Sequence, residues 1–594
     1  MKRVAIIATV LLAMVAIVVI AVPLVVSSEF LKQRIIHRIA AITGRDVTIA
    51  GEATLALYPH FAVSVEGLAI ANPPAMGSDP FVAAEGLRTR FRLLPLLLGQ
   101  AEFDGFELVK PTIHFVRDAQ GRPNWLMRDV AAIVPSAGAA ARAAAAAPPA
   151  AEDRDVGEIS VSDGTVLYDD MVSDKREAMT AVNLDVTWPD AAAPVSGHGV
   201  LQWRGEPVEF TGSAAEPMAL LAGGESTVHF GIGSTPFRIA FNGKASTVAA
   251  PRLSGDATVS TPSLRRAIEW LGTPMGTGSI LGAASIEGAM TLAAAGIRFD
   301  KAKVELDGNS AEGTLGLDLA GRKPAVTGTL AFATLDLSAY IEAVHADLTT
   351  DAAWLFAPAR LPFAEAINAD MRLSANQVVV GATRVSAVAA TVIVDNGQVN
   401  VGLGEARFRG GAITGHLDIG QDGPMLAAAM QARLTDMPAN AMTLLAGASA
   451  LAGTADVSMD VISRGRSWAE FARGVSGGGR VVVADGSLAG FDLAKVVDAL
   501  ADPLAAPLAA GDDATTFAKL DATVAVAGGD VHTDDLTMDG KGFRLSLSGG
   551  GSVLSGSVNA SGRLAAAGDD IPIAVSGTWR APVVERGPPA PTGG

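Results

Sequence analysis

Hydrophobic and polar positions alternate along most of this chain. Leu87-Arg-Thr-Arg-Phe-Arg-Leu93 puts Leu87, Thr89, Phe91 and Leu93 on one side and three arginines on the other. Phe543-Arg-Leu-Ser-Leu-Ser548 does the same with Phe543, Leu545 and Leu547. A period of two is the mark of a strand with one apolar face. Val47/Ile49, Leu55/Leu57, Val63/Val65, Leu68/Ile70 and Val399-Asn-Val-Gly-Leu403 continue the theme. Asp163-Gly164, Asp307-Gly308, Asn396-Gly397, Asp485-Gly486 and Asp539-Gly540 read as hairpin turns between such strands. Three short helices interrupt them. Ser263 to Gly272 has a serine N-cap and a terminal glycine, Ser467-Trp-Ala-Glu470 opens as a capping box, and Leu493 to Leu500 is the third.

Two segments break the strand grammar near the N-terminus. Val4 to Val26 contains no charged residue and as a helix would run roughly 35 Å, enough to cross a bilayer. The alternative is a cleaved signal peptide, but its apolar core is normally shorter and no small-x-small site follows. Lys2 and Arg3 precede the span, whereas Lys32, Arg34, Arg38 and Arg45 follow it, so basic residues argue weakly against an N-terminus-inside orientation. Between Ser28 and Thr43, Leu31, Ile35, Ile39 and Ile42 recur at helical spacing. That helix either lies among lipid headgroups or packs as the first helix of the β body.

The expected fold is mainly β with one N-terminal transmembrane helix. The body reads as a long, mainly antiparallel sheet, apolar on one face, with a few short helices. The organisation reads as an anchor over 1–27, a first β region over 28–134, an Ala/Pro-rich linker over 135–155, a central β region over 156–430, a C-terminal β region over 431–586 and a Pro/Gly-rich tail over 587–594.

Composition narrows the function. Aromatics make up 5% of the 594 residues, glycines number 65, and most of the apolar content is Ala, Val and Leu. A net charge of −17 without a basic stripe opposes nucleic-acid binding. The absence of cysteine removes disulfides and thiolate metal sites. The eight histidines show no metal-ligand spacing. Gly474-Val-Ser-Gly-Gly478 matches G-x-S-x-G, but it follows a helix and precedes a strand, the reverse of a nucleophile elbow, so it reads as a glycine cap and loop. Asp512-Asp513 and Asp534-Asp535 could bind a divalent cation but read better as solvated turns. The residues suggest no enzyme, cofactor or metal.

Several stretches in order resemble the AsmA family. They are the apolar N-terminus, Thr43-Gly-Arg-Asp-Val-Thr-Ile49, Leu57-Tyr-Pro59, Leu68-Ala-Ile-Ala-Asn-Pro73, Leu93-Leu-Pro-Leu-Leu97 and Arg117-Asp-Ala-Gln-Gly-Arg-Pro-Asn-Trp125. Gly321-Arg-Lys-Pro324 with Leu335-Asp-Leu337, and Asp485-Gly-Ser-Leu-Ala-Gly-Phe-Asp-Leu493, look like central and C-terminal signatures of that family. The resemblance implies a periplasmic body on a single-pass inner-membrane anchor and a part in outer-membrane biogenesis. It also implies kinship with bridge-like lipid-transfer proteins, and with it an elongated, curved antiparallel β-sheet groove with a chorein-like start. The expected partner is membrane phospholipid, held by an apolar face on which Leu87, Phe91, Leu93, Phe543, Leu545 and Leu547 are the candidate lipid-facing residues. A scaffold for outer-membrane protein assembly, without lipid passage, is the rival expectation.

Overall fold

The computed structural model describes residues 28–56, 62–73, 76, 79–91, 103–125, 155–172, 174–190, 192–221, 224–246, 252–272, 281–342, 355–441, 451–500, 502, 504–552, 555–566, 568–578 and 581–587. The expected anchor over 1–27, Leu57-Tyr-Pro59, Leu93 with the stretch to Leu97, the linker up to residue 154 and the tail beyond Gly587 lie outside the described residues. Asp155 already belongs to a strand rather than to the linker.

The chain is mainly β and divides into two compact units. The first comprises 1–273 and 283–299, the second 274–282 and 300–594. In the first, β1 (Val47–Ile49) and β2 (Thr54–Ala56) share one edge of β3 (Ala62–Ile70). Strands then pair in chain order through β4 (Val82–Phe91), β5 (Phe103–Arg117), β6 (Asp155–Asp170), β7 (Lys175–Asp190), β8 (Val195–Trp203), β9 (Glu206–Ala214), β10 (Glu225–Ser234), β11 (Arg238–Ser246), β12 (Arg252–Thr261) and β13 (Ala284–Ala293). Helix α1 (Ser28–Thr43) packs on β1 and β3 through Ile35, Ile36, Ile39 and Ala40. Of the two readings of this helix, packing on the β body is the one observed. Short helices α2 (Pro217–Leu221) and α3 (Leu264–Trp270) join strands; Ser263 caps α3 by accepting from the Arg266 N–H.

After β14 (Gly296–Leu306), the second unit runs through β15 (Asn309–Asp318), β16 (Ala325–Asp336), β17 (Asn368–Val380), β18 (Thr383–Asp395), β19 (Gln398–Phe408), β20 (Gly411–Asp422), β21 (Met425–Pro438), β22 (Leu451–Gly465) and β23 (Ser476–Ala489). The two-residue β24 (Leu508–Ala509) pairs with β30 (Ala581–Arg586), while β23 pairs directly with β25 (Ala514–Ala527). From there β26 (Asp530–Gly540), β27 (Phe543–Ser552), β28 (Ser557–Ala566) and β29 (Asp569–Thr578) lead to β30 in order. Helices α4 (Pro362–Ala366), α5 (Trp468–Arg473) and α6 (Leu493–Leu500) complete the unit. In α5, Ser467 accepts from the Glu470 N–H, and the Glu470 carboxylate reaches back to the Arg466 N–H.

Among the described pairings, all are antiparallel except β5–β6 and β16–β17, which are parallel. Each parallel pair follows a long connection, which a same-direction return requires. The turn signals divide as well. Asp307-Gly308 and Asn396-Gly397 are two-residue turns with both φ positive, the type I′ geometry that matches strand twist. Arg204-Gly205 and Arg409-Gly410 use the same geometry with an unfavoured first residue. Asp163-Gly164 and Asp485-Gly486 are not turns but lie inside β6 and β23. Asp163 and Asp485 have φ of 52° and 48° beside register shifts, so they are bulges. Asp539-Gly540 ends β26, and the turn falls two residues later.

Candidate functional site

Hydrogen-bonded pairing turns the alternation of single strands into rows that cross the sheet. In the first unit one row runs from Val65 through Leu87, Leu108, Val161, Leu184, Gly199, Phe210, Ile232, Ile239 and Val259 to Ile286. Every member is apolar or glycine. One residue over, on the opposite face, the row reads Ser64, Arg88, Glu107, Ser160, Asp185, His198 and Thr211. Arg88 and Glu107 form an ion pair there at 2.7 Å. A strand's period of two, carried from strand to strand by register, has produced an apolar and a polar face.

The apolar row is not equally covered along its length. Val65 and Leu87 are 1% and 3% exposed, in a core with Ile35 of α1. From Leu108 onward every member is partly exposed. Where the row crosses Gly199, the Phe210 ring lies over the glycine, and a Cβ there would meet the ring at 2.5 Å. A glycine floor under an aromatic roof recurs at Gly540, where a Cβ would sit 1.9 Å from the Phe543 ring.

The second unit carries an equivalent row through Leu315, Gly328, Met371, Val392, Val401, Leu417, Met430, Val461, Gly477 and Val526. None of its members is buried, and Met430 is 38% exposed. On the same face of its C-terminal strands a second row contains Ala455, Val483, Leu520, Met538, Leu545, Leu564 and Ile571. Here every residue is below 9% exposed. The cover is α6, whose Leu493, Val496, Val497 and Leu500 join this core. Thr515 fixes the start of the helix by accepting from the Leu493 N–H at 2.9 Å and donating to the Phe491 carbonyl at 2.6 Å. Arg586 donates to the Leu500 carbonyl at 2.7 Å at the other end.

The six candidate residues therefore fall in different surroundings. Leu87 and Leu545 lie on the apolar face as the alternation requires, but where the chain covers itself. Phe543 and Leu547 are partly buried against the Leu545 core. Phe91 ends β4 opposite Phe103 after a register shift, and Leu93 is outside the described residues. The alternation of single segments defines a face but not how much of it stays exposed, because exposure depends on which helix lands where. The signal was present as Leu184, Val392, Val401 and Leu417, each within an alternating strand.

Among the described residues, no three His, Asp or Glu side chains come together to hold a metal. His114, His416 and His532 pair with Asp169, Asp418 and Asp534 at 2.7, 3.0 and 2.8 Å. Gly474 caps α5, as expected, whereas Ser476 begins β23 and pairs with Ile462 and Ala527 rather than standing in a loop. Asp513 pairs with Lys495 at 3.0 Å; Asp534 and Asp535 lie inside β26 rather than in a turn, and Asp535 accepts from the Thr523 N–H. Hydrogen bonds from Arg480 and Lys519 hold the Asp521 carboxyl well below the usual carboxylate range. At a rim of the first unit, Arg204 holds Glu177 below its ordinary value through a side-chain hydrogen bond, and Arg204 also donates to the Trp270 carbonyl. Trp270 stacks edge-on against Trp203 at 4.6 Å.

These features define a class: a mainly β protein whose sheets keep one apolar face partly open to solvent and close it with the chain's own helices at chosen places. The family model described as AsmA family matches residues 1–324, more than half of the chain, and the chain belongs to the AsmA family. Neither a curated protein nor a solved structure gives a match.

Proposed function

We propose that this protein is an inner-membrane-anchored, periplasmic member of the envelope-biogenesis machinery that holds or conducts phospholipid along its partly exposed apolar rows. Family membership supports the envelope setting. The uncharged run from Val4 to Val26 supports a single-pass anchor. Among the described residues no helix is long and apolar enough to cross a membrane, and that run lies outside them.

The observation that carries the lipid reading is the row from Leu108 to Ile286, apolar or glycine at every position and partly exposed throughout. Lifting a two-chain lipid from a bilayer exposes about 30 methylenes, at a cost of roughly 25 kcal/mol. A water-accessible floor of Val, Leu, Ile and Phe offsets much of that while the headgroup stays wet. Strands about 4.8 Å apart give this nine-strand row roughly 38 Å, longer than an extended acyl chain. The role is non-catalytic and involves no nucleic acid.

Native mass spectrometry of the detergent-extracted full chain tests this. The expected result is phospholipid bound to the protein. A lipid-free protein that nevertheless supports envelope integrity would favour a scaffold for outer-membrane protein assembly.

A further inference from the structure

Thr89 is a polar side chain on the apolar face. The row beside the Leu87 row reads Val63, Thr89, Phe106, Ile159 and Val186. Thr89 is the polar member, fully buried, and its Oγ1 has no hydrogen-bond partner among the described residues. Valine has the same shape as threonine and would fill this space without stranding a hydroxyl. A buried hydroxyl without a partner is destabilising, so the closed arrangement is not the best core this backbone could build. Thr89 also sits at a boundary. Val63 on one side is 0% exposed, whereas Phe106, Ile159 and Val186 on the other are partly exposed.

Helix α1 packs on this end of the face. Ile35 is 1% exposed against Val63, Val65 and Leu87, and Lys32 Nζ donates to the Gly51 carbonyl at 2.9 Å. The helix lies on the sheet as a separate layer joined by apolar packing. Lifting it would leave the strand ladders of β3 and β4 intact and extend the open rows to Val63 and Val65.

Building on the lipid reading above, we propose that α1 is a lid over a diacyl-lipid entry site, and that Thr89 is a binding residue there, its hydroxyl donating to a glycerol ester carbonyl when the lid is raised. Closed, the hydroxyl is stranded and Ile35 occupies the acyl position. Open, an acyl chain replaces Ile35 on Val63, Val65 and Leu87, and the ester replaces the missing partner.

The test uses the full chain in detergent and vesicles carrying fluorescent phosphatidylethanolamine. Thr89→Val is expected to raise the melting temperature by a few degrees and to lower lipid loading severalfold, with Thr89→Ser restoring loading. A more stable Thr89→Val that loads like the wild type overturns the binding role. The chain has no cysteine, so Lys32→Cys with Glu52→Cys can be joined by a short cleavable crosslinker that pins α1 to the loop beside Gly51. Pinned protein should load little lipid and recover on cleavage. Unchanged loading when pinned overturns the lid while leaving the lipid reading intact. A wild-type chain that takes up no phosphatidylethanolamine overturns both.

Discussion

Leu545 and Val401 make the instructive pair. Both sit on the apolar face of the second unit, each in an alternating strand and in a row of the same residue types. Leu545 is 4% exposed beneath α6, whereas Val401 stays partly exposed beside the small cluster that Ala364 of α4 forms with Val394 and Val399. Strands β22, β23 and β25 carry members of both rows, so one strand is sealed core at one end and partly open surface at the other. Apolar composition sets a face; a covering element sets what that face is for. A sealed row serves stability, and an open row keeps its free energy of burial available to a ligand.

The sharpest way to break this comparison is to put a charge in each row. Leu545→Asp should cost several kcal/mol and abolish the cooperative melt, because an unpaired carboxylate would be sealed under α6. Val401→Asp should cost about 1 kcal/mol or less, because water reaches it. Equal losses in chemical denaturation would mean that the two rows are equally closed. Leu545→Ala gives a milder version, with an expected loss of roughly 2–5 kcal/mol from the cavity left behind.

Next in size is the cover itself. Arg586→Ala removes the hydrogen bond to the Leu500 carbonyl and should destabilise by roughly 1–2 kcal/mol. Faster amide exchange confined to α6 and its strands would show that the helix is what seals this row. Exchange spread evenly over the unit would sever that link.

A functional contrast sharpens the same point. Val401→Asp and Leu184→Asp should fold normally and lose copurifying phospholipid. Thr391→Asp on the neighbouring β18 and Thr187→Asp on the same strand as Leu184, both exposed on the opposite face, should keep it. Retained lipid in the first pair would separate the open rows from lipid handling.

The smallest effect is electrostatic. Asp521 has its pKa lowered by Arg480 and Lys519, so it contributes stability above the unfolded aspartate pKa and loses it as pH falls toward the folded value. The stability of Asp521→Asn should therefore change less than that of the wild type on going from about pH 4 to pH 2, as read by thermal melts. Identical slopes would show that this polar-face network does not stabilise the fold.

Much of this was legible from local pattern. The period-two runs predicted strands and faces, Ser263 and Ser467 predicted helix starts, and Leu493 to Leu500 was found to the residue. Asp163-Gly164 and Asp485-Gly486 misled because a positive φ serves a bulge as well as a turn, and only the partner strand distinguishes them.

The sequence by itself determined that the chain is β-rich, that its strands are two-faced and that the faces are built of small aliphatics. These follow from the geometry of one strand, in which neighbouring side chains point to opposite sides. Tertiary structure alone decided which apolar residues are core and which remain open. Leu545 is sealed because α6, about fifty residues earlier, lies over its strand, and Leu87 because α1 does the same. Alternation repeats every two residues and carries no information about contacts at such distances. Burial is set by what packs on top.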